Sequence, residues 1–516
     1  MTLPDWLEAL PDASEQRSLD QWAIGELGIP GLDLMERAGV GLTALVDELA
    51  PTGPVAVVCG RGNNGGDGFV AARLLRDRGR EVRVLALAPV EELQGDALTN
   101  ARRLPGAAPE PFGVAALEGA AAIIDAILGT GFAGEPREPA RGAIEAINAC
   151  GNQPVVVACD VPSGVNASTG EVDAVAVHAR ATATFHAAKP GLWIAPGKAH
   201  AGIVRVIDIG IPPGGPTDPE IGLISDRVTD GIPRRGAEST KFAAGSVLVC
   251  GGSLGLTGAP CMASEAAMRA GAGYVTACVP ASLNLVFETR LLEVMTVPLP
   301  DVSGALAAAG AEEALRRSAR VQSLVLGPGI GREQEAVSFA RRVAAAATVP
   351  LLLDADGLGA HAGDLAAIAQ REAATVLTPH AGELGRLLDE DSTVVQSHRL
   401  RSARTAARAG NAIVVLKGDD TLVVDPNGRV AVSRGDAPAL ATAGSGDVLS
   451  GVVGAYLAKA MDPFHAACAG VYVHAAAGRL AAAEIGAEGV IAGDVIELVP
   501  RALPPLGAAQ REPGDR

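Results

Sequence analysis

Residues 55–89, VAVVCGRGNNGGDGFVAARLLRDRGREVRVLALAP, decide the architecture of the first half of the chain. Five consecutive apolar residues, VAVVC, read as a strand buried on both faces. A glycine-rich turn, GRGNNGGDG, follows. In FVAARLLRDRG the pairs Val70/Leu74 and Ala71/Leu75 recur at i, i+4, the spacing of an amphipathic helix, and EVRVLALAP returns as a strand. Strand, turn, helix and strand make a βαβ unit, which forces its two strands to lie parallel. Working outward, AAIIDAIL (121–128) and PVVVACDV (154–161) add strands that end where Gly, Ser and Thr gather. The expectation is a doubly wound α/β sheet that binds its ligands beyond the carboxyl ends of its strands.

Between residues 211 and 220 the run IPPGGPTDPE has four prolines and no periodicity, which reads as a linker. A second α/β series follows it: SVLVCGGSLGLTG, GYVTACVP, SLVLGPGIG, PLLLDADGL, TVLTPHAGEL and AIVVLKGDDTLVVDPNGRVAVS, the last with a hairpin turn at Asn427-Gly428. Two long helices are expected to start at Gly446 and Pro463, and the Pro- and Gly-rich tail after Arg501 is expected to fray. The two halves share a plan but no fixed period. The expected domains are residues 1–215 and 222–510, and a length of 516 residues suits two hydrophobic cores better than one.

Apolar residues make up 48% of the chain and aromatics only 3%, so burial must rest on Ala, Val, Leu and Ile packed close to backbone. Forty-two basic against 59 acidic residues leave a net charge of −17, which repels nucleic acid and anionic membrane. A phosphate site here must be a local device. The seven cysteines (Cys59, Cys150, Cys159, Cys250, Cys261, Cys278 and Cys468) show no C-x-x-C spacing and read as reduced, structural thiols of a cytoplasmic protein. The N-terminus lacks the basic and apolar segments of a secretory signal, and charge, Gly or Pro interrupts every apolar run before it could span a bilayer.

Gly60, Gly62 and Gly65 match G-x-G-x-x-G between strand and helix, where backbone N–H groups can hold a phosphate. The next strand ends in Ala88 and Pro89, with no acidic residue for a ribose, which disfavours an ordinary dehydrogenase. Asp125, the loop GTGFAGE (129–135) and Asp160 with Ser163 fall at neighbouring strand ends and should converge on one crevice.

These residues resemble the bifunctional NAD(P)H-hydrate repair enzymes. The loop NNGGDG (63–68), the run DAILGTGFAGE (125–135), the motif DVPSG (160–164) and the opening DQWAIGELGIPGLDLMERAG (20–39) are similar to the epimerase half of that family, over most of residues 14–210. The resemblance implies a Rossmann-like fold that binds the hydrated dinucleotide through Asn63, Asn64, Gly65, Gly66 and Asp67. It adds the loop Gly129, Thr130, Gly131, Phe132, Ala133, Gly134 and Glu135 to that binding surface. It also implies a potassium ion near Asn64, Asp125 and Ser163, a set of hard oxygen donors, with Asp160 contacting the substrate. Epimerising a carbon that bears both a hydroxyl and a ring nitrogen needs acid–base assistance, which Asp160 is expected to supply.

In the second half ALATAGSGDVLSGVVGAYLA sets Gly444, Ser445 and Gly446 in a turn before an apolar helix, with Asp447 beside it. Successive N–H groups and the helix N-terminus can cradle an anion, and the aspartate can take a proton from a hydroxyl attacking phosphorus. The pattern resembles the ribokinase-like kinases, whose usual GTGD has Thr where Ser445 stands. The runs KFAAGSVLVCGGSLGLTGAP, LGPGIG, DADGL, LTPHAGEL and LKGDDTLV are similar, in this order over about residues 237–500, to the dehydratase half of the same repair family. That resemblance implies a ribokinase-like α/β domain in which Ala259, Gly329, His380 and Asp447 meet the hydrated dinucleotide. It implies that Lys417, Gly418, Asp419, Asp420 and Thr421, with Gly446, meet the adenine nucleotide. Asp447 would deprotonate the hydroxyl, the amides of Gly444 to Gly446 would stabilise the transferring phosphoryl, magnesium would offset phosphate charge, and elimination of phosphate would restore the ring. The expected donor is ADP, and the family implies a homo-oligomer. A ribokinase-like small-molecule kinase and a nucleotide-binding regulator without turnover are the alternatives.

Overall fold

A computed structural model of the chain describes residues 3–236 and 239–503, so most of the tail expected to fray lies outside the described residues. Two compact units result among the described residues: residues 9–222 form one, and residues 4–8 with those from Leu223 to 503 form the other.

The chain opens with a short strand, β1 (Leu7–Ala9), which pairs into the sheet of the second unit. The sheet of the first unit comprises β2 (Val55–Cys59), β3 (Val82–Ala86), β4 (Glu110–Pro111), β5 (Ala122–Ala126), β6 (Val155–Cys159), β7 (Ala181–Phe185) and β8 (Ile203–Ile207). All its pairings are parallel, in the order β4-β3-β2-β5-β6-β7-β8. Strand order reverses between β2 and β5, which is where a doubly wound sheet opens a crevice. Helices Gly31–Leu49 and Asn63–Asp77 cover one face, burying Leu42, Val46, Phe69 and Leu75 against Val55 and Val57. Helix Ala140–Ala149 covers the other with Ile144 and Ile147 against Ile123 and Val58. Truncating one of these side chains, such as Leu75 to Ala, would cost about 2–5 kcal/mol.

Residues 63–68, expected as a turn, are helical: the helix begins at Asn63, and the turn is only Gly60 to Gly62. The glycines serve packing. A Cβ on Gly60 would lie 2.0 Å from the Ile127 carbonyl, and one on Gly65 would lie 2.0 Å from the Gly60 carbonyl. Only bare backbone lets the helix N-terminus settle against the β2 and β5 ends.

The second unit adds β9 (Ile221–Ile224), β10 (Ser246–Cys250), β11 (Tyr274–Pro280) and β12 (Met295–Leu299), a small hairpin β13 (Asp301–Val302) and β14 (Ala305–Leu306), then β15 (Ser323–Leu326), β16 (Leu351–Leu353), β17 (Thr375–Leu377), β18 (Ile413–Leu416), β19 (Leu422–Val424) and β20 (Val430–Val432). Its main sheet runs β1-β9-β20-β19-β18-β17-β16-β15-β10-β11-β12, parallel from β18 to β12 and antiparallel through β18-β19-β20. The β19–β20 hairpin turns at Asn427-Gly428, with Gly428 at φ 110°. Strand order reverses between β10 and β15. Helices Gly258–Arg269 and Ser445–Ala458 touch so closely that a Cβ on Gly451 would lie 2.1 Å from the Ala263 carbonyl.

The edge of this sheet comes from the start of the chain, a long-range pairing with no local signal in the sequence. The Ser225 N–H and hydroxyl both donate to the Trp6 carbonyl, at 3.1 and 2.9 Å. The Trp6 indole is buried and stacks on His465 with ring centres 4.8 Å apart. Six of the seven cysteines are buried and all are free. Among the described residues no helix is long and apolar enough to cross a membrane.

Candidate active sites

In the first unit the ends of β2, β5, β6 and β7 and the helix Ala13–Gly25 enclose a cavity of about 1070 Å³. Asn63, Asn64, Asp67, the whole run Gly129–Glu135 and Asp160 line it. Gly65 and Gly66 lie behind it in helix packing, Gly66 against Met35. Glu135 reaches outward to Arg141 at 3.0 Å.

Asp160 sits just past β6 with φ 66°, a backbone that turns its carboxylate into the cavity. It accepts from the Thr130 N–H (3.1 Å) and hydroxyl, the Thr184 hydroxyl (3.3 Å) and the Lys189 ammonium (2.7 Å). Burial pushes this carboxyl up, but Lys189 and the Thr130 bonds outweigh it and hold it below the usual carboxylate range. Lys189 is 1% exposed and gives its other protons to the Thr184 hydroxyl and the Phe185 carbonyl, each at 2.9 Å. Sequence reasoning missed Lys189; a single lysine in HAAKPGLW carries no spacing signal, only the oddity of a charge in an apolar run. Asp67 and Asp20 complete the polar wall, and burial pushes both carboxyls up.

Asp125 and Ser163 meet behind this wall. Asp125 lies within β5 rather than after it, is fully buried, and accepts from the Ser163 N–H (2.8 Å), the Ser163 hydroxyl (2.6 Å) and the Ile127 N–H (3.3 Å). Burial pushes it up to about 6 against those hydrogen bonds, and no cationic side chain pairs with it among the described residues. Asn64 packs against Gly129, and both its buried amide atoms lack a partner. A buried carboxyl without a cation and a buried amide oxygen with nothing to bind are donors of the kind that fit a hard monovalent ion.

In the second unit the strand-order reversal brings the β10 and β15 loops together. Gly329, at φ +62°, lets its loop approach so closely that a Cβ there would lie 3.2 Å from the Ala259 side chain and 2.6 Å from the Leu256 carbonyl. His380 caps the helix Ala381–Leu388: its Nδ1 accepts from the Gly382 N–H at 3.0 Å while Glu383 accepts from the His380 N–H at 2.9 Å. The other ring nitrogen, Nε2, lies 3.6 Å from the Glu383 carboxylate.

Lys417 joins these parts. Its ammonium donates to Asp354 at 3.0 Å and lies 3.7 Å from Glu383, and a Cβ on Gly446 would lie 3.4 Å from it. Asp354, fully buried at the end of β16, also accepts from the Ser450 hydroxyl at 2.8 Å. Gly444 takes φ 87° at the helix start, while the Ser445 hydroxyl is spent on the Leu440 carbonyl at 2.7 Å. Burial, then Asp354, push the Asp447 carboxyl up to about 7, although Lys417 opposes them. Asp419 receives the Asp436 N–H at 3.2 Å, the Thr421 hydroxyl donates to the Gly418 carbonyl at 2.6 Å, and Asp420 faces the protein in a buried ion pair with Arg399 at 2.8 Å. DADGL and HAGE are visible motifs, yet the roles of Asp354 and Glu383 appear only once β16, β17 and β18 lie side by side.

Residues 31–191 match the family described as YjeF-related protein N-terminus, and residues 247–501 the one described as NAD(P)H-hydrate dehydratase. Over 512 residues the chain is 37% identical to the bifunctional NAD(P)H-hydrate repair enzyme Nnr of Moorella thermoacetica, covering 96% of each. It is also 37% identical over 519 residues to the enzyme of that name from Salinibacter ruber, covering 95% of each. Among solved structures, the ADP/ATP-dependent NAD(P)H-hydrate dehydratase of Bacillus subtilis co-crystallised with ATP and Mg²⁺ is 27% identical, with a TM-score of 0.47 over 54% of this chain and 96% of that one.

Proposed function

The chain belongs to the bifunctional NAD(P)H-hydrate repair enzymes, and from that premise we propose that its first unit interconverts the two epimers of hydrated NADH and NADPH while its second dehydrates one of them at the expense of a nucleotide. The observation that carries this reading is the placement of two separate polar clusters, one around Asp160 and one around Asp447, each beyond the carboxyl ends of its own sheet. A small-molecule kinase would not need the first.

In the first unit the loop Gly129–Glu135 and Asn63 bind the dinucleotide. Asp160, held ionised and oriented by Lys189, serves the proton transfers at the carbon bearing the hydroxyl. Potassium would be held by Asn64, Asp125 and Ser163 and would supply the positive charge that the buried carboxylate lacks. In the second unit the hydroxyl of the hydrate is a poor leaving group, so it is first phosphorylated. Asp447 takes the hydroxyl proton, the hydroxyl oxygen attacks the terminal phosphorus, and the Gly444–Gly446 turn steadies the charge on the transferring group. Loss of phosphate then restores the dihydronicotinamide ring. Ala259, Gly329 and His380 border the hydrate, and Lys417 reaches the nucleotide phosphates. Among the described residues no three His, Cys, Asp or Glu side chains converge as a metal cage. Magnesium, which would neutralise phosphate charge, needs no such cage, since one or two carboxylates with phosphate oxygens and water suffice to hold it. ADP is the proposed donor.

Recovery of NADH absorbance from a mixture of both hydrate epimers, with ADP, with ATP and with neither, tests the whole reading. Complete recovery with one nucleotide supports both activities and identifies the donor. Recovery of one epimer only defeats the epimerase, and no recovery with either nucleotide defeats both.

A further inference from the structure

Of the carboxyl groups that line the epimerase cavity, three, Asp20, Asp67 and Asp160, gather around Lys189. Lys189 cannot serve all of them, because its protons are committed to Asp160, the Thr184 hydroxyl and the Phe185 carbonyl. Asp160 also has the Thr130 N–H and hydroxyl, and so has every reason to be a carboxylate. Asp67, 8% exposed on the first turn of helix Asn63–Asp77, has neither a cation nor a hydrogen-bond donor among the described residues. The charges facing it are Asp160 and Asp20, both repulsive, with Lys189 only partly offsetting them; the buried thiol of Cys159 is the other titratable neighbour. A buried carboxyl so placed keeps its proton. Two carboxyls in one cavity, one protonated and one not, divide the roles of acid and base.

Resting on the epimerase reading of this unit, we propose that Asp67 and Asp160 share a single proton across the hydrated carbon, Asp67 giving it to the departing hydroxyl and Asp160 taking it from the water that returns. The C–O bond breaks as the lone pair of the ring nitrogen forms a C=N⁺ bond, and the Asp67 proton completes a water molecule. For that moment both carboxyls are ionised, which is the charge an iminium cation needs beside it. Water then adds to the opposite face, its oxygen forms the new C–O bond, the electron pair returns to nitrogen, and the surplus proton passes to Asp160. The substrate's atoms balance, and the one net change, a proton moved from Asp67 to Asp160, is reset by exchange with solvent water before the next turnover in the same direction. The reverse conversion carries the proton from Asp160 back to Asp67, so one arrangement serves both epimers, as an enzyme working from either side requires.

The test uses the full-length chain without nucleotide, so that dehydration is silent, and follows epimerisation of purified NADH hydrate in water enriched in ¹⁸O. The wild type should incorporate one labelled oxygen per inversion, with a rate that falls both at low pH, where Asp160 gains a proton, and at high pH, where Asp67 loses its own. Asp67→Asn, which imitates the shape of the protonated acid, should lose inversion and label uptake together by about 10²–10³-fold with KM unchanged. Its residual rate should lack the alkaline fall, and Asp67→Glu should recover part of the loss. An unchanged thermal transition in Asp67→Asn and full dehydratase activity on restoring nucleotide keep the comparison clean. Inversion without label uptake, an Asp67→Asn rate within about threefold of wild type, or an effect confined to KM overturns the shared proton. A wild type that does not epimerise at all overturns the assignment of the unit itself, and this inference with it.

Discussion

The two sites are made from the same parts and set to opposite conditions. Each gathers carboxylates around one lysine at the ends of parallel strands, and the difference lies in which carboxylate the lysine touches. In the first unit Lys189 bonds directly to Asp160, the group assigned to the chemistry, and holds it ionised far below neutrality. In the second, Lys417 bonds instead to Asp354, and Asp447 is left to burial and to its acidic neighbours, which raise it to about 7. A direct ion pair lowers one carboxyl, so that it takes a proton only from a strong acid such as protonated water; without that pair the other can pick a proton up and put it down near neutral pH. The lesson is that the inventory of a site says less than its pairing.

The comparison breaks most readily at Asp447. Asp447→Ala should lower dehydration by about 10²–10⁴-fold and leave inversion of the hydrate epimers untouched, measured separately by NADH absorbance and by chromatography of the epimers. Loss of both in a folded variant would mean that the sites are not independent. Asp160→Asn is the mirror experiment: inversion falls by about 10²-fold or more, while dehydration of the competent epimer stays within a factor of two of wild type. Because that substitution also strips Lys189 of its charged partner, its thermal transition should be recorded alongside.

A smaller effect is expected from Trp6→Ala. The buried indole stacks on His465 within the second unit, so its truncation should destabilise that unit by about 3 kcal/mol. Dehydratase activity should then be lost at lower urea than epimerase activity, and coincident loss of the two would defeat the assignment of residues 4–8 to the second unit. The finest distinction is in pH. Asp447 must be ionised to act, and its carboxyl is raised, so kcat/KM for dehydration should rise with pH and reach half its plateau near pH 7. Asp354→Asn removes a charge that raises Asp447 and releases Lys417 to lower it, so the midpoint should move down. A midpoint that stays put would show that Lys417 and Asp354 do not govern Asp447.

Much of this was legible in one dimension. Periodicity in VAVVC, FVAARLLRDRG and EVRVLALAP was enough for a parallel sheet, whereas of the GSGD run, expected as a turn, only Gly444 stands outside the helix, and Ser445, Gly446 and Asp447 form its first turn. NNGGDG was harder: glycines that look like a turn lie inside a helix because they admit a carbonyl at close range, and local sequence does not distinguish a bend from a close approach. Lys189, Asp354 and Glu383 were illegible for a different reason. Each gains its meaning from a partner on another strand or helix, Asp160 for the first and Lys417 for the other two, and such pairings follow strand order rather than spacing. His380 reads as a ligand in its motif, and the structure adds that it caps its own helix.

The edge strand β1 bears on how the protein is made. Residues 4–8 leave the ribosome early, but their partner β9 follows only after the first unit has been synthesised, some 200 residues later. At ordinary elongation rates that is roughly ten to forty seconds during which this segment has no partner. It is short and carries Glu8, which lessens its tendency to pair with the wrong neighbour in that time. The dehydratase sheet therefore joins a segment made before the epimerase to strands made after it, and the epimerase is folded inside that interval. A ribosome that stalls in the linker would release a working epimerase with a loose end, whereas a start beyond the linker would yield a dehydratase that lacks its edge.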